Sequence, residues 1–293
     1  MSGESEDGRH SEATGGRGLY GDYISNPLMS NDASDWSALH DAAIHGNLLS
    51  LQQLIRQGQR VNLLTMNRVT PLHEACLGRH ASCAKYLLEH GAKVNEVTID
   101  WKTPLYNACC SGSADCVKVL LQNGAKPLEE CDLASPIHEA AKRGHTGCVE
   151  MLLNHGMEIE CNNKYMGTPF YVACENQRMD SVKKLLALGS NVNTAKNLES
   201  PLHVAAKSSN MELATILLEH GARIDSRNAD GKRPVELASP NSSLEKLLLQ
   251  WEGPSSLKQL CRLNIRKFLG RSHFTSASRL PIPESLKEFL CYR

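Results

Sequence analysis

Thr70-Pro-Leu-His-Glu-Ala-Cys76 returns, with small changes, down most of the chain. It reads Thr103-Pro-Leu-Tyr-Asn-Ala-Cys109, Ser135-Pro-Ile-His-Glu-Ala-Ala141, Thr168-Pro-Phe-Tyr-Val-Ala-Cys174 and Ser200-Pro-Leu-His-Val-Ala-Ala206, with weaker copies from Ser37 and Arg233. The starts at 37, 70, 103, 135, 168, 200 and 233 are 33, 33, 32, 33, 32 and 33 residues apart. A fixed period of this size predicts a stacked array, in which each unit touches its neighbours, and not a closed globule.

Within each unit the Thr or Ser suits a helix N-cap and the Pro suits the first helical position, where its missing N–H leaves no bond unmade. A second helix follows, with apolar residues at helical spacing such as Cys83, Leu87 and Leu88. Gly58, Gly91, Gly124, Gly156, Gly189 and Gly221 stand where such a helix ends in a left-handed residue. The unit is therefore a helix pair and an extended loop, seven times over. One pair cannot bury its apolar face, so Leu72, Ala75, Leu87 and their equivalents are predicted to form a continuous, quasi-linear core.

Lys plus Arg equals Asp plus Glu at 32 each, which speaks against nucleic acid as the main partner. No run approaches the roughly 18 apolar residues that cross a bilayer, and residues 1–18 have no basic leader or apolar core of a signal peptide. A cytoplasmic chain with no membrane partner is expected. Residues 1–19 read as a disordered tail. Residues 20–36 are richer in apolar groups, including Tyr20, Tyr23, Leu28, Met29 and Trp36. They are read in two ways that are compatible: as a cap over the end of the stack, or as a contact with a partner.

Histidine and cysteine recur with the scaffold. His40, His73, His138 and His203 share one offset; Cys76, Cys109 and Cys174 share another, and Cys83, Cys116 and Cys148 a third. Residues that repeat with the scaffold are explained by it, whereas an active site needs one convergent constellation. No enzyme is expected. Without a CxxC pair and its matching second half, no metal or cofactor is expected either.

These residues resemble the ankyrin-repeat family, whose signature is the Thr-Pro-Leu-His-x-Ala phrase on a helix-turn-helix with a protruding loop. The resemblance covers residues 37–250 and implies an all-α solenoid whose loop tips and inner helices bind proteins. Trp101 at one tip is a candidate hot spot, as is Tyr165 at another, with Arg68, Asp100 and Asp132 as rim charges. The alternative for Trp101 is packing against a neighbouring loop.

The period ends after Leu249, and Glu252-Gly-Pro-Ser-Ser256 marks a boundary. Leu257, Leu260, Cys261, Ile265 and Phe268 then recur at three- and four-residue steps, and Leu280-Pro-Ile-Pro283 breaks any helix. Residues 254–293 resemble a SOCS box, and with the repeats the chain is similar to the ankyrin-repeat and SOCS-box family. That resemblance implies an elongin-binding set of Ser256, Leu257, Leu260, Cys261 and Ile265, and a cullin-binding set of Leu280, Pro281, Ile282 and Pro283. Elongin B, elongin C and cullin five with its RING protein are the partners implied. The role implied is that of a non-catalytic substrate receptor in a cullin-RING ubiquitin ligase, directing a protein to proteasomal degradation. Ser25–Met29, Ser34–Trp36 and the Asp100–Trp101 tip look most like the creatine-kinase-binding member, which implies creatine kinase as substrate. A second reading keeps the fold and makes the chain a scaffold that sequesters its partner, with the C-terminal segment only a structural cap.

Overall fold

The computed structural model describes residues 36–127 and 135–252, with Pro283 alone beyond them. Among the described residues there are seven helix pairs and no strand. In chain order they are α1 (Ala38–Ile44) with α2 (Leu48–Arg56), α3 (Pro71–Leu77) with α4 (Ala81–Glu89), α5 (Pro104–Ser111) with α6 (Ala114–Gln122), and α7 (Pro136–Arg143) with α8 (Thr146–Asn154). There follow α9 (Pro169–Glu175) with α10 (Met179–Ala187), α11 (Pro201–Lys207) with α12 (Met211–Glu219), and α13 (Pro234–Leu237) with α14 (Ser243–Trp251). Each first helix packs on the first helix of the next pair, and the second helices do the same except between α10 and α12, so the array is the predicted all-α solenoid.

The caps explain where the first helices begin. Ser37, Thr70, Thr103, Thr168 and Ser200 are extended at the N-cap, and each side chain accepts the N–H three residues on. Pro occupies the first turn of every first helix but α1. The second helices end as expected too: Gly58, Gly91, Gly124, Gly156, Gly189 and Gly221 all lie at φ between 84° and 93°. In the last pair Arg233 replaces the hydroxyl cap, and the Glu236 carboxylate accepts the Arg233 N–H at 2.9 Å instead. The α13 helix stops after four residues, with Ala238 already extended at ψ 147°, and Pro240 keeps it from resuming by disfavouring helical backbone at Ser239.

The core is one continuous stripe. Leu72, Ala75 and Cys76 of α3 meet Cys83, Ala84 and Leu87 of α4, all essentially sealed from solvent, and the same offsets are buried in the next four pairs. Phe170, at the Leu72 offset, is also fully buried. The thiols behave as small apolar fillers. Burial, and then the neighbouring Cys116 thiol, push the Cys76 thiol up, and burial followed by Cys148 does the same to Cys109. Both therefore stay protonated and are poor nucleophiles. Among the described residues no group of three or more His, Cys, Asp or Glu is placed to hold a metal ion, and no helix is long and apolar enough to cross a membrane.

Candidate protein-binding surface

Between one helix pair and the next the chain makes a tight finger. Thr65 N–H donates to Val69 O (3.1 Å) and Arg68 N–H to Thr65 O (2.8 Å). The same closure joins Thr98 to Lys102 (3.0 Å), with Trp101 N–H donating to Thr98 O (3.0 Å), and recurs at Asn228–Lys232 (3.0 Å). At Asn163–Gly167 the two backbones exchange both bonds, each 2.8 Å, while Asn163 Oδ1 accepts from Tyr165 N–H (2.8 Å) and Met166 N–H (3.0 Å). Ile99 N–H donates to Asn67 O at 3.1 Å and so ties two adjacent fingers together.

The recurring histidines hold these fingers in place. A carbonyl can only accept, so each Nε2 carries the proton. It donates from His40 to Val69 O (3.1 Å), from His73 to Lys102 O (3.0 Å), from His138 to Gly167 O (2.8 Å) and from His203 to Lys232 O (3.0 Å). Nδ1 is then an acceptor. On His73 it takes the Thr70 hydroxyl at 2.8 Å and the Thr70 N–H at 3.2 Å. Each imidazole thus connects a helix cap to the base of the next finger, 29 residues away. All four are fully buried. Burial depresses His73 to about 4 and lowers His138, which keeps both neutral at physiological pH. The scaffold reading of these histidines fits this geometry.

The structure leaves three of the predicted contact residues exposed, Trp101 and Tyr165 at fingertips and Trp36 just before the first N-cap. Trp101 is 55% exposed, and Tyr165 is 58% exposed with Lys164 Nζ 5.8 Å from its ring centre. Trp36 is 40% exposed, its ring 5.3 Å from that of His40. Arg68 and Asp100 are at tips as expected, but both are paired within the chain: Arg68 with Glu96 at 2.7 Å, Asp100 with Lys102 at 3.4 Å. Pro283 is exposed. Tyr20, Tyr23, Leu28, Met29, Asp132, Ser256, Leu257, Leu260, Cys261, Ile265, Leu280, Pro281 and Ile282 lie outside the described residues.

Met66, Ile99 and Leu198 lie in loop tips that the sequence predicts, although they were not among the predicted contact residues, and they are exposed by 76%, 55% and 66%. Leu198 could have been found by its offset, since it stands two residues before its N-cap, as Trp101 does before Thr103. Arg68, Trp101, Leu198 and Gly231 share that offset and are all left-handed, at φ 58°, 60°, 66° and 73°. Glycine takes this conformation freely, whereas a residue with a Cβ is disfavoured there by about 1–2 kcal/mol. The remaining concavity of note is a shallow open cleft of about 350 Å³ lined by Tyr171, Glu175, Glu199, Val204, Lys207 and Ser208. Its charges are already paired, Lys207 with Glu199 and Lys196 with Glu175, and it holds no nucleophile beside a base.

A stack of buried helix pairs with a row of exposed apolar fingertips defines an ankyrin-repeat protein-binding solenoid. Residues 39–131 and 127–196 match the family described as Ankyrin repeats (3 copies), residues 197–229 match Ankyrin repeat, and residues 253–291 match SOCS box. The chain belongs to the ankyrin repeat and SOCS box family. It is 62% identical over 269 residues to human Ankyrin repeat and SOCS box protein 9, covering 92% of each chain. It is 55% identical over 265 residues to human Ankyrin repeat and SOCS box protein 11, covering 90% of this chain and 82% of that one. The crystal structure of the human ASB11 ankyrin repeat domain superposes with a TM-score of 0.72 at 56% identity, over 75% of this chain and all of that one. Members of this family are substrate-recognition adaptors for cullin-RING ubiquitin ligases.

Proposed function

We propose that this chain is the non-catalytic substrate-recognition subunit of a cytoplasmic cullin-RING ubiquitin ligase. The observation that carries the reading is a SOCS-box match at residues 253–291 directly behind a protein-binding repeat stack. Ser256, Leu257, Leu260, Cys261 and Ile265 put their apolar members at helical spacing, the pattern of a helix laid into a groove, here that of elongin C with elongin B alongside. Leu280-Pro-Ile-Pro283 is the segment that selects cullin five with its RING protein. The substrate docks on residues 20–36, through Tyr20, Tyr23, Leu28, Met29 and Trp36, and on the tips bearing Arg68, Asp100, Trp101, Asp132 and Tyr165. Creatine kinase is the substrate the resemblance of Ser25–Met29, Ser34–Trp36 and Asp100–Trp101 favours.

The receptor itself makes and breaks no bond. It holds substrate lysines near the loaded ubiquitin carrier, so a bimolecular encounter becomes an effectively intramolecular one. Leu257→Asp combined with Cys261→Asp places two charges on the elongin-facing stripe. Co-purification of elongins B and C with that variant should fall to background while the thermal transition of the repeats is unchanged. Normal elongin recovery would refute the assignment of this helix.

A further inference from the structure

The repeats serve as controls for one another at the fingertip offset. In the last finger Gly231 occupies the left-handed position and meets nothing within 4 Å of the space its Cβ would fill. Two fingers instead carry a large apolar residue at that position, Trp101 and Leu198. The case of Leu198 is the sharper. Lys196 N–H donates to Glu199 O (3.0 Å) and Glu199 N–H to Lys196 O (2.8 Å), while Asn197 and Leu198 between them have φ of 49° and 66°. Two central residues both at positive φ make a type I′ turn, whose favoured pair is Asn-Gly. Leucine stands in the glycine position and, at 66% exposure, buries little of its side chain in return. Neither backbone preference nor packing within the chain accounts for the residue.

The surroundings indicate what does. Near these tips the charges are matched internally: Lys102 with Asp100 at 3.4 Å, Lys196 with Glu175 at 3.5 Å. A partner is therefore offered apolar protrusions and little net charge. Trp101 and Leu198 sit three repeats apart, about 25–30 Å at the 8–10 Å spacing of packed helices. Both project from fingers, so what receives them must itself be concave. An isolated helix or strand has no such pockets; a folded surface has.

We propose that Trp101 and Leu198 are paired anchors that insert into two apolar pockets, about 25–30 Å apart, on one folded partner protein. The inference rests on the reading of the fingertips as the substrate-facing edge, and it adds Leu198 and the class of partner.

The test uses the full chain purified from cells with a proteasome inhibitor in four forms: native, Trp101→Gly, Leu198→Gly and Leu49→Gln. The last replaces a leucine that is 79% exposed on α2, away from the fingers. Each form is melted, and the proteins it retains are identified and quantified relative to the chain itself. Relief of the left-handed strain should hold the melting temperature of both tip variants or raise it by up to about 3 °C. The same folded protein, retained by the native and Leu49→Gln forms, should fall at least tenfold in both tip variants. A drop of several degrees would show that the side chains serve the fold, and unchanged retention would show that they do not anchor a partner. A native form that retains no such protein overturns the proposal too. Loss of elongins from every form would instead strike at the ligase reading and leave the anchor comparison intact.

Discussion

Replacing His73 with alanine should destabilise the stack by about 3–4 kcal/mol at pH 7.5, summing a cavity in a sealed site and a buried carbonyl left without its donor. His73 is fully buried, and its ring connects the Thr70 cap to the Lys102 carbonyl at 3.0 Å, at the base of the finger that carries Trp101. The loss should be visible as a lower urea midpoint. Hydrogen exchange at Thr98–Lys102 should rise by more than the global change requires, because that finger loses its tether. A change below about 1 kcal/mol, the worth of a single ordinary hydrogen bond, would mean that the ring is replaceable.

The neighbouring residue should respond in the opposite direction. Glu74 is 6% exposed on α3, and among the described contacts no cation or hydrogen-bond donor meets its carboxylate. Glu139, at the same offset in α7, is paired with Arg143 Nε at 2.5 Å and accepts from the Cys110 thiol at 3.6 Å. The α3 helix has Gly78 where α7 has Arg143, so that pairing is unavailable to Glu74. Burial accordingly raises Glu74 to about 7 from the usual 4.5. Glu74→Val, which copies Val172 and Val204 at this offset, should stabilise the protein by about 2–3 kcal/mol at pH 8, at 1.36 kcal/mol per pKa unit less a few tenths for helix propensity.

The two groups have opposite pH dependence. A native pKa raised above the unfolded value means that Glu74 penalises the fold fully above pH 7, and that the penalty is relieved as pH falls to 4.5. A native pKa of about 4 against 6.5 means that the stability tied to neutral His73 is complete above pH 6.5 and is lost as pH falls towards 4. Between pH 6.5 and 4.5 these contributions offset one another in the native chain. Urea midpoints across that window should therefore fall more steeply in Glu74→Val than in the native protein, and less steeply in His73→Ala. Identical slopes in all three would contradict both assignments.

Much of this architecture could be read from residues alone, because periodicity exposes it. The Thr-Pro step marks a helix start by chemistry that is local to two residues, and glycine at the end of each second helix marks the one backbone conformation it enters freely. The shared offset of His40, His73, His138 and His203 separated scaffold from catalysis before any distance was known. Trp101 was legible as a candidate anchor because it is aromatic at a tip. Leu198 was not, since leucine ordinarily signals a core and nothing in its identity announces a left-handed turn. The difference between Glu74 and Glu139 was equally hidden. Both follow a histidine in the same phrase, and only the reach of Arg143 across one helical turn tells the paired carboxylate from the stranded one.

The division of labour between stack and tail is what the functional account stands on, and reconstituted ubiquitination tests it most directly. The full chain and a chain lacking Pro254–Arg293 would each be combined with elongins B and C, cullin five and its RING protein, the ubiquitin-activating and carrier enzymes, and creatine kinase or another partner recovered by co-purification. The account predicts that removing the segment abolishes ubiquitin transfer to the bound partner while leaving its affinity for the repeats unchanged. Transfer that continues without Pro254–Arg293, or partner binding that disappears with it, would contradict the account.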